Sequence, residues 1–182
     1  MIFTPTILAG SYVIEPEQRH DERGWFMRTF CQDEFEKSGL NGVWVQLNHS
    51  FTTRKGTVRG MHFQQQPDVE TKLVRCIQGR IWDVIVDLRE QSSTYLQWFG
   101  VELNTENRLM IYVPEGFAHG FQALTDNVEL IYHHSSPYSP ENERGVKYND
   151  PSLNIEWPLP IEMISIRDNS FPLINDKFKS TF

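Results

Sequence analysis

The chain has 182 residues, enough to bury a sizeable core in one domain spanning 1–182. Hydrophobic residues make up 39% and charged residues 23%, the usage of an ordinary globular protein. A formal net charge of −7 without a long basic run argues against nucleic acid or a membrane surface as partner, yet leaves room for an anionic ligand held by local cations.

In chain order, the opening MIFTPTILAGSYVIEP has no basic head and only a short, interrupted apolar run, so neither a signal peptide nor a transmembrane span is expected. The best helix signal is CQDEFEKSGLNG, about two turns ending at Gly39. From residue 42 onward, strand follows strand: GVWVQLNHSF, TVRGMHF, TKLVRCI, RIWDVIVDL, QWFGVEL, RLMIYV, GFAHGFQAL and NVELIYHH are rich in Val, Ile, aromatics and alternation. RKG, QQQPD, QG, LREQSST, NTEN, PEG and TDN supply the turns between them. Eight short strands at this spacing predict an all-β antiparallel sandwich or barrel with an open mouth for a ligand. After residue 135 the chain turns rich in Pro, Asn and Ser and predicts ordered loops, a surface wrap pinned by Trp157 and Phe171. Cys31 and Cys76 match no zinc or redox spacing, which predicts reduced thiols and a cytoplasmic protein.

Two segments resemble the paired motifs of the cupin superfamily: Gly56 with His62, closing at Gly79, and PEGFAH ending at His119. A metal-binding cupin would add a second histidine where this chain has Gln64, and a carboxylate where it has Lys72. A transition metal needs three to four N, O or S ligands with a neutral or negative inner shell. Lysine brings a cation toward a cation, so neither a metal nor any other cofactor is expected.

Alternation places Lys72, Val74 and Cys76 on one strand face and Val128, Leu130, Tyr132 and His134 on another. Singly, Tyr132 could be a core tyrosine and Lys72 could extend to the rim. Four polar groups from separated strands, His62, Lys72, His119 and Tyr132, instead suggest a site. An imidazole with a pKa of about 6.5 can take a proton from a carbon beside a carbonyl. A lysine can hold the enolate oxygen, and a tyrosine can return a proton on the other face. A carboxylate should fix the imidazole tautomer, with Asp83, Asp87 and Asp168 as candidates. Arg23, Arg28, Arg54, Lys55 and Arg59 offer cations for phosphate oxygens, with Arg54 and Lys55 better explained as solvated surface charges.

DERGWF, QLNHS, KGTVRGMHFQ, KLVRCIQGRIWDVIVDLR, YVPEGFAHGF, YNDPSLNIEWP and ISIRDNSFPLI follow one another over nearly the whole chain. In that order they resemble the dTDP-4-dehydrorhamnose 3,5-epimerase family of deoxysugar biosynthesis. With the helix and loop signals above, the expected fold has a few short helices and a C-terminal loop-rich wrap; the resemblance implies a jelly-roll cupin, a homodimer with strand exchange, and no metal. It implies His62 as proton acceptor paired with Asp168, Tyr132 as proton donor, and Lys72 beside the keto oxygen. It further implies Arg23 and Arg59 as diphosphate and sugar contacts and Gln46 and Asn48 as nucleotide contacts. His119, Glu143 and Arg167 match further ligand positions, and Tyr138 an aromatic near the base. Two positions depart from the family pattern: Arg28 stands where a Glu is common, and Leu47 where an acid is common. These departures open GDP- and CDP-linked 4-keto-6-deoxy sugars as alternatives to dTDP-linked ones. Inversion at one carbon only, a non-catalytic sugar-binding cupin and a metal-dependent cupin are the other readings, the last opposed by Gln64 and Lys72.

Overall fold

A computed structural model describes residues 1–175, 178 and 182. The strands are β1 (Ile2–Pro5), β2 (Tyr12–Glu15), β3 (Gln18–Asp21) and β4 (Gly24–Met27), then helix α1 (Gln32–Lys37) and β5 (Gln46–Thr52). The middle of the chain forms β6 (Val58–Gln64), β7 (Lys72–Gln78), β8 (Arg80–Asp87), β9 (Trp98–Asn104), β10 (Met110–Val113), β11 (Phe117–Ala123) and β12 (Val128–His134). Short β13 (Glu143–Gly145) and α2 (Ile166–Asn169) follow in the C-terminal wrap.

The strands form a six-stranded sheet, β1-β2-β10-β7-β12-β5, and a five-stranded sheet, β13-β6-β11-β8-β9, with β3-β4 as a separate hairpin. All named pairs are antiparallel. This is the jelly-roll expectation. All eight predicted strands are present, although residues 42–45 precede β5 rather than belong to it. The predicted helix is present too, with Gly39 at φ +72° just past its end, a conformation glycine reaches without steric cost. The five strands absent from the sequence reading, β1–β4 and β13, are only three or four residues long, too short for alternation to show.

The two-residue side-chain period sorts each strand between layers. Val74, Cys76, Ile111, Val113, Phe117, Phe121, Val128 and Leu130 fill the space between the sheets. Leu73, Met110 and Tyr112 face the other way and are covered by Phe35 of α1 and by Leu40. On the outside of the five-stranded sheet, Met61, Phe63, Val84 and Val86 are covered by Val146, Leu153 and Trp157 of the wrap. Trp157 anchors itself by donating Nε1–H to the Tyr148 carbonyl at 2.9 Å, as expected of a pin. Both cysteines are free, and burial pushes the Cys76 thiol up to about 11, so it packs as an inert apolar group. No helix among the described residues is long and apolar enough to cross a membrane.

Candidate active site

At one end of the sandwich the inward side chains turn polar and line a cavity of about 260 Å³. β6 and β11 of the five-stranded sheet supply Arg59, His62 and His119 to it, while β5, β7 and β12 of the other sheet supply Gln46, Asn48, Ser50, Lys72, Tyr132 and His134. His62 and Tyr132 therefore stand on opposite walls.

His62 Nε2 lies 2.9 Å from Asp168 Oδ1. The other carboxylate oxygen accepts the Gly60 amide at 3.1 Å, and Asp168 N donates to Ser165 Oγ at 2.9 Å, the cap of α2. Burial pushes the Asp168 acid up, but the His62 hydrogen bond and charge, together with the Gly60 amide, outweigh it and hold the pKa at about 2. Asp168 is thus an anion, and the Nε2 facing it carries the imidazole proton. Nδ1 has no hydrogen-bond partner among the described residues, which leaves its lone pair as the basic site. Arg167 Nη2 also lies 3.3 Å from Nε2, but two donors cannot share that contact, so the guanidinium sits beside the imidazole as a charge rather than as its hydrogen-bond partner. Phe171 packs edge-on to the His62 ring at 5.6 Å and limits its rotation.

Gly60 permits this arrangement. Its φ is +128°, and a Cβ there would lie 2.6 Å from Gly120 Cα and 2.9 Å from the His119 carbonyl oxygen. Only a residue without a side chain lets β6 and β11 approach so closely beside His62.

Tyr132 is largely buried, and among the described residues its hydroxyl has one hydrogen-bond partner, Ser50 Oγ at 3.1 Å. Burial pushes the phenol well above its ordinary value, with the Ser50 contact opposing, so the group is a neutral O–H that can donate. His119 pairs with Asp83 at 2.9 Å, both buried. Lys72 Nζ lies 3.0 Å from Glu70 Oε1 and donates to the His62 carbonyl at 3.3 Å. Among the described residues no group of three or more His, Cys, Asp or Glu is placed to hold a metal ion. A base, an opposed acid and a dry cation are the parts that proton transfer beside a carbonyl requires.

A family model described as dTDP-4-dehydrorhamnose 3,5-epimerase matches residues 5–176. The chain belongs to the dTDP-4-dehydrorhamnose 3,5-epimerase family. It is 45% identical over 157 residues to the dTDP-4-dehydrorhamnose 3,5-epimerase of Shigella flexneri, covering 86% of each chain. The crystal structure of the dTDP-4-dehydrorhamnose 3,5-epimerase from Elizabethkingia anophelis NUHP1 superposes with a TM-score of 0.94 at 42% identity, covering 97% of this chain and 98% of that one. The dTDP-4-dehydrorhamnose 3-epimerase of Streptomyces niveus is 40% identical over 175 residues, 96% of this chain and 84% of the relative.

The epimerase fold brings together most residues singled out in the sequence. His62, Lys72, His119, Tyr132, Gln46, Asn48, Arg59, Tyr138 and Glu143 all line the cavity. Asp168 stands behind His62, and Arg167 bridges to Glu143 at 2.7 Å. Of the three candidate carboxylates, Asp168 pairs with His62 and Asp83 with His119, whereas Asp87 accepts from Arg89, Ser92 and Thr94 and holds a remote loop. The wrap is more than a cover, because it delivers Tyr138, Glu143, Arg167, Asp168 and Phe171 to the site.

Arg23 and Arg28 do not reach the cavity of their own chain. Arg23 is 87% exposed on the β3–β4 hairpin and pairs with Asp21. Arg28 pairs with Glu34 of α1 at 2.8 Å, beside the chain's N-terminal amine. Leu47 faces away from the cavity, since strand alternation points Gln46 and Asn48 inward and Leu47 to the opposite face, where it is 62% exposed. The two departures from the family pattern therefore leave this chain's own cavity wall unchanged. Arg54 and Lys55 are exposed surface residues, as expected.

The sequence reading missed Glu70 and His134 as cavity residues. Glu70 Oε2 meets His134 Nδ1 at 2.6 Å while Oε1 meets Lys72. Burial pushes the Glu70 acid up, yet Lys72 and His134 outweigh it and hold the pKa at about 2. Lys72 thus does not stand as a lone cation in the carboxylate's place; a carboxylate two residues earlier accompanies it. Glu70 lies in the irregular connection before β7, where periodicity carries no signal, but His134 shares a face with Tyr132 and was legible by alternation.

Proposed function

We propose that this chain, working as one domain over residues 1–182, inverts C3 and C5 of a dTDP-linked 4-keto-6-deoxy sugar through an enolate, in the cytoplasm and without a metal or other cofactor. The observation that carries the reading is the placement of His62 and Tyr132 on facing sheets of one cavity. A sugar ring held between them meets the base on one face and the acid on the other. His62 Nδ1 takes the proton from the carbon beside the ketone, and Asp168 stabilises the imidazolium that forms. The electrons move onto the carbonyl oxygen, where a Lys72 N–H stabilises the enolate in a largely dry pocket. Tyr132 donates to the carbon from the opposite face, which inverts it. The proton lost to His62 and the proton gained from Tyr132 balance, and solvent restores both groups. Arg59 and Arg167 supply charge for the diphosphate, and Gln46, Asn48 and Tyr138 face the base.

The test is turnover of dTDP-4-dehydro-6-deoxyglucose in D2O. Two deuterons incorporated, at C3 and C5, support double inversion. One deuteron supports single inversion, a reading kept in play by the similarity to the 3-epimerase of Streptomyces niveus. His62→Ala should abolish exchange at both carbons; unchanged exchange would overturn the assignment and favour a binding protein without catalysis. The same assay with GDP- and CDP-linked sugars tests the nucleotide, and insensitivity to EDTA tests independence of metal.

The site also supports a homodimer. The β3–β4 hairpin stands apart from both large sheets, with Phe26 72% and Trp25 47% exposed and Arg23 at its turn. Docked on a second copy, the hairpin would bury those rings and carry Arg23 into the partner's cavity. Sedimentation should give a dimer, and Trp25→Ser with Phe26→Ser should give monomers.

A further inference from the structure

Glu70 belongs to a directed chain of hydrogen bonds along one cavity wall. The Tyr138 backbone N–H donates to Gln46 Oε1 at 2.9 Å, which fixes that amide's orientation. Gln46 Nε2 then donates to Asn48 Oδ1 at 3.2 Å, leaving Asn48 Nδ2 to donate to His134 Nε2 at 3.2 Å. With Nε2 accepting, His134 carries its proton on Nδ1 and gives it to Glu70 Oε2 at 2.6 Å. The remaining Glu70 oxygen holds the Lys72 ammonium at 3.0 Å. The Tyr138 amide, which can only donate, sets the direction of every step that follows. Lys72 uses a second N–H on the His62 carbonyl, and its third has no partner among the described residues.

We propose that Glu70 and His134 are positioning residues for the epimerisation: they tie the Gln46–Asn48 wall to Lys72 and leave one ammonium N–H for the substrate's carbonyl oxygen. This inference rests on the function proposed above. A carboxylate is required at position 70 because both its partners are donors. An amide offers one oxygen, so its NH2 would meet either the Lys72 ammonium or the His134 N–H, and one link must break. Aspartate keeps both acceptors but is one methylene shorter, so it should restore part of the function. Glu70 and Lys72 side chains are 9% and 8% exposed, so solvent does little to replace a lost link.

The experiment is a double-mutant cycle of Glu70→Gln with Lys72→Met, read by deuterium incorporation from D2O into dTDP-4-dehydro-6-deoxyglucose. Glu70→Gln alone should lower kcat by about 10- to 100-fold, the scale of losing one hydrogen bond to a charged group. KM should stay within about twofold, because a positioned donor acts on the enolate and not on ground-state binding. In the Lys72→Met background the same substitution should change the rate by less than about threefold. Glu70→Asp should recover part of the lost kcat. An equal factor in both backgrounds, or a rise in KM at unchanged kcat, would overturn the proposal. If Glu70→Gln does not fold, His134→Gln enters the cycle under the same criteria, since it leaves the Lys72–Glu70 pair in place. A wild type that exchanges no deuterium would overturn the functional reading itself; a wild type that exchanges, with additive losses, overturns only the role of Glu70 and His134.

Discussion

Asp168→Asn perturbs the base without changing the shape of the site. The Gly60 amide, fixed in the backbone 3.1 Å from Oδ2, needs an acceptor, so the new carbonyl oxygen takes that place. The NH2 group then faces His62 Nε2 across the 2.9 Å contact now filled by Oδ1. Nε2 becomes an acceptor, the imidazole proton moves to Nδ1, and the cavity loses its basic nitrogen. Restoring the working tautomer means turning the amide over and leaving the buried Gly60 N–H unpaired, at least about 1 kcal/mol. The imidazolium of the proposed reaction also loses its carboxylate, about 4 kcal/mol for unit charges about 4 Å apart at an effective dielectric of about 20. Together these amount to about 5 kcal/mol, or roughly 10³- to 10⁴-fold in rate. Deuterium exchange into the sugar, followed by NMR with His62→Ala as the floor, measures it, and calorimetric binding of dTDP checks that the site is still formed. A rate within tenfold of wild type, with dTDP binding intact, would refute the tautomer argument and the base assignment with it.

Tyr132→Phe removes the proposed acid but leaves the proposed base, so exchange at carbon should continue with retention while inverted product falls by about 10²- to 10⁴-fold; loss of exchange and inversion together would count against separate roles. Gly60→Ala forces a side chain into a position at φ +128° against the Gly120 backbone and should destabilise by about 3 kcal/mol, lowering Tm by roughly 6–12 °C in a thermal melt. Glu70 and Asp168 have folded-state pKa values of about 2, below their ordinary values, so the stability they add is complete above about pH 5 and is lost as pH falls through about 2. Melts from pH 6 to pH 2 should show a steep acid loss that is shallower in Asp168→Asn.

Much of the site was legible along the chain because strand alternation is a local rule. It assigned Lys72 to the same face as Val74, and Tyr132 to the same face as Leu130, and both faces do point between the sheets. The Gly56–His62 and PEGFAH segments likewise marked His62 and His119, which pair as neighbours across β6 and β11. The pairing of histidines with carboxylates was not legible from alternation. Asp83, Asp87 and Asp168 are alike as letters, and only the resemblance to a family separated them.

By itself, the sequence determined the layered all-β architecture and the inward faces, since each follows from residue type and a period of two. Tertiary structure decided how Arg23 and Arg28 stand relative to the cavity and joined Glu70 to both Lys72 and His134. It also brought Asp168 to His62 across 106 residues of chain. The reason is range: hydrogen bonds between side chains on separate strands and loops depend on where the sheets and the C-terminal wrap come to rest, and no local pattern encodes that distance.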